Sequence, residues 1–102
     1  MSNPKYQPDE IVWAKSHGCP WWPAKINKIC MKAKSKRQLH AIVDYIGDDS
    51  HEKLIISNRI APFNENYAEH SKTDDIHLKY SIASANRILS KRSTFEGTFT
   101  LS

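Results

Sequence analysis

Residues 11–26 read IVWAKSHGCPWWPAKI and contain all three tryptophans of the chain. Pro20 and Pro23 bracket the pair Trp21-Trp22, and each proline fixes φ and removes a backbone hydrogen-bond donor. This arrangement holds at least one indole at a set angle, in a stretch that carries lysines but no acidic residue. A rigid indole beside lysines indicates recognition of a cation, of nucleic acid, or of both.

The chain has the size of one small domain, since 102 residues with 39% hydrophobic content support a single modest core. No apolar run approaches the roughly 20 residues that span a bilayer, and Met1–Tyr6 lacks the apolar core of a signal peptide. We therefore expect a nuclear or cytosolic protein with no membrane partner. Cys19 and Cys30 form no disulfide framework or zinc motif, and the histidine spacings match no zinc signature, so we expect no metal.

Charge is distributed along the chain in blocks. The stretch Ile11–Val43 has no Asp or Glu, whereas acidic residues outnumber basic ones over Asp44–Asp75. Such blocks indicate two surfaces, one for an anion and one for a cation. Lysines suit phosphate contact without sequence reading, so we expect sequence-independent binding of DNA. The candidate DNA-binding residues are Lys15, His17, Lys25, Lys28, Lys32, Lys34, Lys36 and Arg37.

Five short segments of the first two-thirds have the composition of β-strands. They are Ile11–Lys15, Trp22–Ile29, Leu39–Ile46, Leu54–Ile56 and Arg59–Phe63. Ala24 and Ile26 alternate with polar neighbours, which is the period of a strand with one wet face. Gly47-Asp48-Asp49-Ser50 is a strong turn signal. Five short strands in this spacing predict a small barrel or curled sheet.

The last third is predicted to be helical. Asn64 can cap a short helical turn, and Asp74 or Asp75 can cap a longer helix over Ile76–Lys91. The helix has one apolar stripe, which would pack against the barrel. The stripe consists of Leu78, Ile82, Ala85 and Leu89.

These elements predict four parts along the chain. We expect a flexible arm over 1–8, a barrel over 9–63, a helical part over 64–92 and a tail over 93–102, with 9–92 forming the domain.

The chain resembles the PWWP domain, a family within the Tudor-like group of chromatin-reading barrels. The motif that names the family is present literally as Pro20-Trp21-Trp22-Pro23. Ile11–Gly18, Val43–Asp48 and Arg59–Phe63 resemble the family's lead-in, third strand and closing strand, and the resemblance covers Asp9–Leu89. It implies a mainly β fold with a C-terminal α part: a five-stranded SH3-like or Tudor-like barrel followed by a short helix and a longer one.

The resemblance implies a nuclear chromatin reader without enzymatic activity or cofactor. Such a domain binds a methylated, typically trimethylated, histone-tail lysine in an aromatic cage while it contacts nucleosomal DNA. Trp22 and Tyr45 match the aromatic walls of that cage, and Asp48 matches an acid at its edge. Cys19 falls where many members carry Tyr or Phe, and Ser16 where some carry Met. The predicted cage therefore has two aromatics and an acid, and the isolated domain is expected to be monomeric.

The other two tryptophans are assigned different roles by the resemblance. Trp21 matches a variable position, and we expect it to support the cage from outside. Trp13 matches a packing position and is expected to be largely buried.

The residues leave three functions open. The first is the methyl-lysine reader with DNA contact. The second is a DNA-binding module with a weakened or vestigial cage, suggested by Cys19 in place of an aromatic. The third is a protein-interaction barrel that presents its indole to an ordinary peptide. An enzyme is not expected, because the sequence has no paired carboxylates, nucleophile elbow or phosphate-binding loop.

Overall fold

A computed structural model gives the structure of the protein over residues 6–30 and 39–101, with side chains over 6–30 and 39–92. The elements in chain order are β1 Ile11–Lys15, β2 Trp21–Cys30, β3 His40–Tyr45, β4 His51–Ile55, α1 Ile56–Arg59, β5 Ile60–Pro62, α2 Tyr67–His70 and α3 Ile76–Leu101. The predicted mainly β fold with C-terminal helices is confirmed. None of the helices in these described parts is long and apolar enough to cross a membrane.

The strands form one antiparallel sheet in the order β4-β3-β2-β1-β5. The ten-residue strand β2 pairs with β1 through its first half and with β3 through its second, with a bulge between Ile26 and Lys28. Strands β4 and β5 lie at opposite edges of this order but are joined by the single helical turn α1. The sheet is therefore strongly curled, and within the described residues no ladder closes it.

The concave face of the sheet holds the first core. Val12 and Ala14 of β1 and Ala24 and Ile26 of β2 are fully buried there, together with inward residues of β3 and β4. The predicted alternation in β2 is thus confirmed, because its apolar residues face this core. Tyr6 also packs in this core, and its hydroxyl donates to the carbonyl of Ile60 at 3.4 Å.

The flexible arm predicted over residues 1–8 is wrong at Tyr6. Its ring is only 7% exposed, because it covers the open side of the curled sheet. Residues 1–5 and 31–38 lie outside the described residues, and with them the predicted basic connection that contains Lys32, Lys34, Lys36 and Arg37.

The convex face carries a second core around Trp13. This indole is fully buried, stacks on Phe63 at 4.9 Å between ring centroids, and donates from Nε1 to the carbonyl of Phe63 at 3.0 Å. Helix α3 covers it with Leu78, Ile82 and other members of the predicted stripe. Strand β1 is therefore buried on both faces, which makes it the centre of the domain.

Asp75 begins helix α3 as one of the two predicted caps. Its Oδ1 accepts from the backbone N–H groups of His77 at 2.8 Å and Leu78 at 3.2 Å. The helix continues past its predicted end near Lys91 to Leu101. The added segment contains no proline, and Gly97 alone costs about 1 kcal/mol, too little to stop an established helix.

The turn between β3 and β4 touches α3 at a glycine. Gly47 has φ +82°, and a Cβ at this position would stand 2.6 Å from Oγ of Ser81, which is 1% exposed. Gly18 has a similar φ of +76° but nothing within 4 Å. The two glycines differ in crowding and share the same backbone conformation.

We predict that Gly47→Ala destabilises the domain more than Gly18→Ala. Gly18→Ala should lower the free energy of unfolding by about 1–2 kcal/mol, because alanine is strained in the left-handed conformation. Gly47→Ala should lower it by about 1 kcal/mol or more beyond that, because its Cβ also crowds Ser81. Urea unfolding of the two variants measures both terms. A Gly47→Ala, Ser81→Ala double variant should recover the difference. Equal costs for Gly47→Ala and Gly18→Ala would show that the Ser81 side chain moves aside without cost.

Candidate functional site

Strand β2 separates the two adjacent tryptophans. Trp22 pairs with Ala14 and Trp21 pairs with Lys15, so the two side chains leave β2 on opposite faces, although both indoles are partly buried against the second core. Trp21 stacks on the imidazole of His70 at 4.8 Å and packs against the second core, so it is a supporting residue. Trp13 is buried as predicted.

Trp22 lies at the mouth of the curled sheet, where the structure forms a pocket of ≈ 550 Å³. All five residues predicted for the cage line this pocket: Ser16, Cys19, Trp22, Tyr45 and Asp48. They come from the β1–β2 arch, from β2, and from β3 with the turn that follows it. The structure also adds four lining residues that sequence reasoning missed: Pro20, Ser50, His51 and Glu52.

Hydrogen bonds fix the orientation of both aromatic walls. The indole Nε1 of Trp22 donates to the carbonyl of Ile46 at 3.2 Å, across the gap between β2 and the turn. The hydroxyl of Tyr45 donates to Oε1 of Glu52 at 2.7 Å. Both rings are half-buried and keep a face toward the pocket. The walls are therefore held in place before any ligand arrives, which lowers the entropic cost of binding.

Glu52 places a second acidic side chain at the pocket besides Asp48. It pairs with Val43 in the β3–β4 ladder, two residues from Tyr45 on the same face, and this register sets up its bond to the Tyr45 hydroxyl. Burial, then the hydrogen bond and negative charge of Glu52, raise the pKa of Tyr45 well above its ordinary value. The pocket therefore combines neutral aromatic faces with two carboxyl groups, which suits a bulky cation.

The β1–β2 arch forms the rim of the pocket opposite the turn. The backbone N–H of Cys19 donates to the carbonyl of Ser16 at 3.1 Å, and Gly18 supplies the positive φ that the arch needs. The ammonium of Lys15 donates to the carbonyl of Cys19. Cys19 is exposed, so the rim has a small thiol where a ring would add a third wall.

The described members of the predicted DNA-binding set fall into two groups. Lys15 and His17 lie at the arch, beside the pocket, whereas Lys28 lies near the other end of β2. Lys28 follows Trp21 by seven steps along the extended strand, a distance of about 20 Å. Lys25 is half-buried and lies directly across from Asp44. Lys28, Ile42 and Lys53 form a row across three strands, which adds Lys53 to the basic residues of this end.

Over residues 6–30 and 39–92, no cluster of three or more His, Cys, Asp or Glu side chains could hold an ion.

We predict that Tyr45 makes stability decrease at alkaline pH. In the unfolded chain Tyr45 ionises near its ordinary pKa of 10.0, whereas the folded domain holds its pKa higher. The free energy of unfolding should therefore fall as pH rises above 10, and Tyr45→Phe should flatten that fall. Urea unfolding at several pH values measures it. Tyr6→Phe should flatten the same fall, because burial also raises the pKa of Tyr6. Equal slopes in wild type and Tyr45→Phe would contradict the prediction.

Comparison with known proteins agrees with this geometry. A family model described as the PWWP domain matches residues 9–90. PWWP domain-containing protein 2A of Xenopus laevis is 39% identical over 61 residues, and the human protein of that name 38% over 61 residues, in each case 57% of this chain and 8% of the relative. Human PWWP domain-containing protein 2B is 37% identical over 59 residues, 55% of this chain and 10% of the relative. The chain thus spans about a tenth or less of the curated relatives it matches, and it belongs to the PWWP domain family of chromatin-associated reader domains.

Proposed function

We propose that this domain reads a methylated lysine of a histone tail in the pocket between Trp22 and Tyr45, while its basic residues contact nucleosomal DNA. The observation that carries the proposal is the meeting of two oriented aromatic rings and two acidic side chains around one open pocket. A nuclear location follows from this function.

The chemistry of the ligand explains the composition of the pocket. A trimethyl-ammonium group has no N–H to donate, so it is recognised by charge and shape alone. Each aromatic face contributes about 0.5–2 kcal/mol, depending on how well water is excluded. Asp48 and Glu52 add Coulomb attraction, and Glu52 also holds the Tyr45 ring in place. Dimethyl-lysine keeps one N–H, which it can donate to Asp48. This bond reduces the difference in affinity between trimethyl-lysine and dimethyl-lysine.

Two aromatic walls give weak binding by themselves. After the entropy of ordering a tail is subtracted, we expect millimolar to high-micromolar dissociation constants for a free peptide. Contact with DNA in the same complex would multiply this weak affinity through effective concentration. A nucleosome is therefore the ligand on which the domain's specificity is best measured.

We predict that Trp22→Ala weakens discrimination between nucleosomes that carry a trimethylated histone lysine and unmodified ones. The lost indole face contributes about 0.5–2 kcal/mol, so the preference should fall about two- to thirtyfold. Titrations by fluorescence anisotropy measure the two affinities. Tyr45→Phe is the matched control, because it keeps the ring and loses only the bond to Glu52.

Trp22 also bonds to Ile46, so Trp22→Ala needs a folding check by thermal melting. Tyr45→Leu is a second variant that removes the opposite wall and should weaken the preference as well. If the wild type binds methylated and unmethylated nucleosomes equally, the cage proposal is wrong.

The DNA contact yields a separate prediction at the outer end of β2. Lys28→Ala should weaken binding of duplex DNA and lower the salt slope of the affinity by about 0.9, the value for one phosphate contact. Titrations at two salt concentrations measure the slope. Lys79→Ala, an exposed lysine on α3, is the control and should leave the slope unchanged; an unchanged slope in Lys28→Ala would place the DNA elsewhere.

A DNA-binding module with a weakened cage is the second candidate function. The exposed thiol of Cys19 favours it, because it leaves one side of the pocket without an aromatic wall. This candidate requires equal affinity for free DNA and for methylated nucleosomes. A measured preference for a methylated peptide would exclude it.

A further inference from the structure

A second groove, of ≈ 530 Å³, lies beside the pocket and has no counterpart in the sequence analysis. Trp22 and Asp48 line both cavities, so they form a shared wall. The opposite side of the groove is the first two turns of α3, with Ile76 and Tyr80. Because the cavities adjoin, a chain with one residue in the pocket can continue directly into the groove.

The groove has an apolar side that is largely exposed. Ile76 is 78% exposed and Tyr80 60% exposed, whereas their neighbour Leu78 is 2% exposed in the second core. Ile76 and Tyr80 are four residues apart on a helix, so their side chains lie next to each other. A paired apolar surface beside a cavity is a feature of sites that receive another apolar group.

The charges in the groove select a cationic occupant. The acidic side chains among its lining residues are Asp48 and Asp75, which lie there with His77, and Asp74 adjoins Asp75 in an exposed position. Asp75 already accepts the first free N–H groups of α3, so the helix start does not attract an anion. These acids repel a phosphate backbone and attract a peptide that carries Lys or Arg.

We propose that the groove binds the residues next to the methylated lysine in the same peptide, with a bulky apolar side chain against Ile76 and Tyr80. The inference rests on the proposed function, because the lysine in the pocket sets which neighbours reach the groove. Residues one or two positions away in an extended peptide lie about 3.4–7 Å from the lysine along the chain. The groove would then add sequence preference to a pocket that recognises only a cation.

The test uses a set of trimethyl-lysine peptides. The reference peptide has glycine at the two positions before and the two positions after the lysine, and each of the others has leucine at one of these four positions. NMR titration suits the weak affinities. The wild type should bind the best leucine peptide about five- to tenfold more tightly than the glycine peptide. Tyr80→Ala and Ile76→Ser should each reduce this ratio toward one. Lys79→Ala, next to Tyr80 but not lining the groove, should keep it.

The outcomes separate the two proposals. If methylation strengthens binding of the glycine peptide but leucine adds nothing at any position, the groove proposal is overturned and the cage stands. If methylation has no effect on any peptide, both fail. Tyr80→Ala should leave binding of duplex DNA unchanged; a loss of DNA affinity would assign the groove to DNA and overturn the inference. Both substituted residues are exposed, so unchanged melting temperatures are expected.

Discussion

The alternation of side chains along β2 is the constraint on which both cores and the pocket depend. Successive residues of a strand leave opposite faces, so Trp21 and Trp22 leave β2 on opposite faces, although both indoles contact the second core. Trp21 stacks on His70 and attaches α2, whereas Trp22 reaches the pocket at the mouth of the concave face. A slip of one residue in pairing with β1 would exchange these positions and would also move Ala24 and Ile26 out of the first core. The cage and the core therefore select the same register.

Helix α3 connects the stability of the domain to the shape of its ligand site. Its buried face covers Trp13, its Ser81 sits against Gly47, and its first two turns form one side of the groove. Gly47 immediately precedes Asp48, so the fit between helix and turn also sets where that carboxyl group lies. Trp22 makes a second contact with this turn, because its indole Nε1 donates to the carbonyl of Ile46. The turn is thus held from two sides, and a change in either contact would alter the pocket.

Residues carried by a local motif could be predicted from the sequence, and those that depend on register could not. Trp22 and Tyr45 lie in recognisable segments, and the structure brings them to one pocket. Glu52 has no motif of its own. It reaches Tyr45 only because the β3–β4 ladder pairs it with Val43, and that pairing depends on the geometry of the turn at Gly47. Tyr6 escaped prediction for a related reason, since its place in the first core depends on how far the sheet curls. The groove depends on the packing angle of α3, which an apolar stripe alone does not specify.

The placement of charge also limits how the domain can meet a nucleosome. The acids of the pocket and groove face one region, with Asp48 between the two cavities, so DNA is disfavoured there. Lys15 and His17 border the pocket at the arch, while Lys28 and Lys53 lie about 20 Å away at the other end of the sheet. A peptide held in the pocket therefore leaves two basic flanks for DNA, one adjacent and one remote. The adjacent flank is small and Lys15 is already bonded to Cys19, so the remote flank is the better source of salt-dependent affinity. In the complex proposed above, the tail would determine which nucleosome is selected, and the DNA contact would determine how long the weakly held tail is retained.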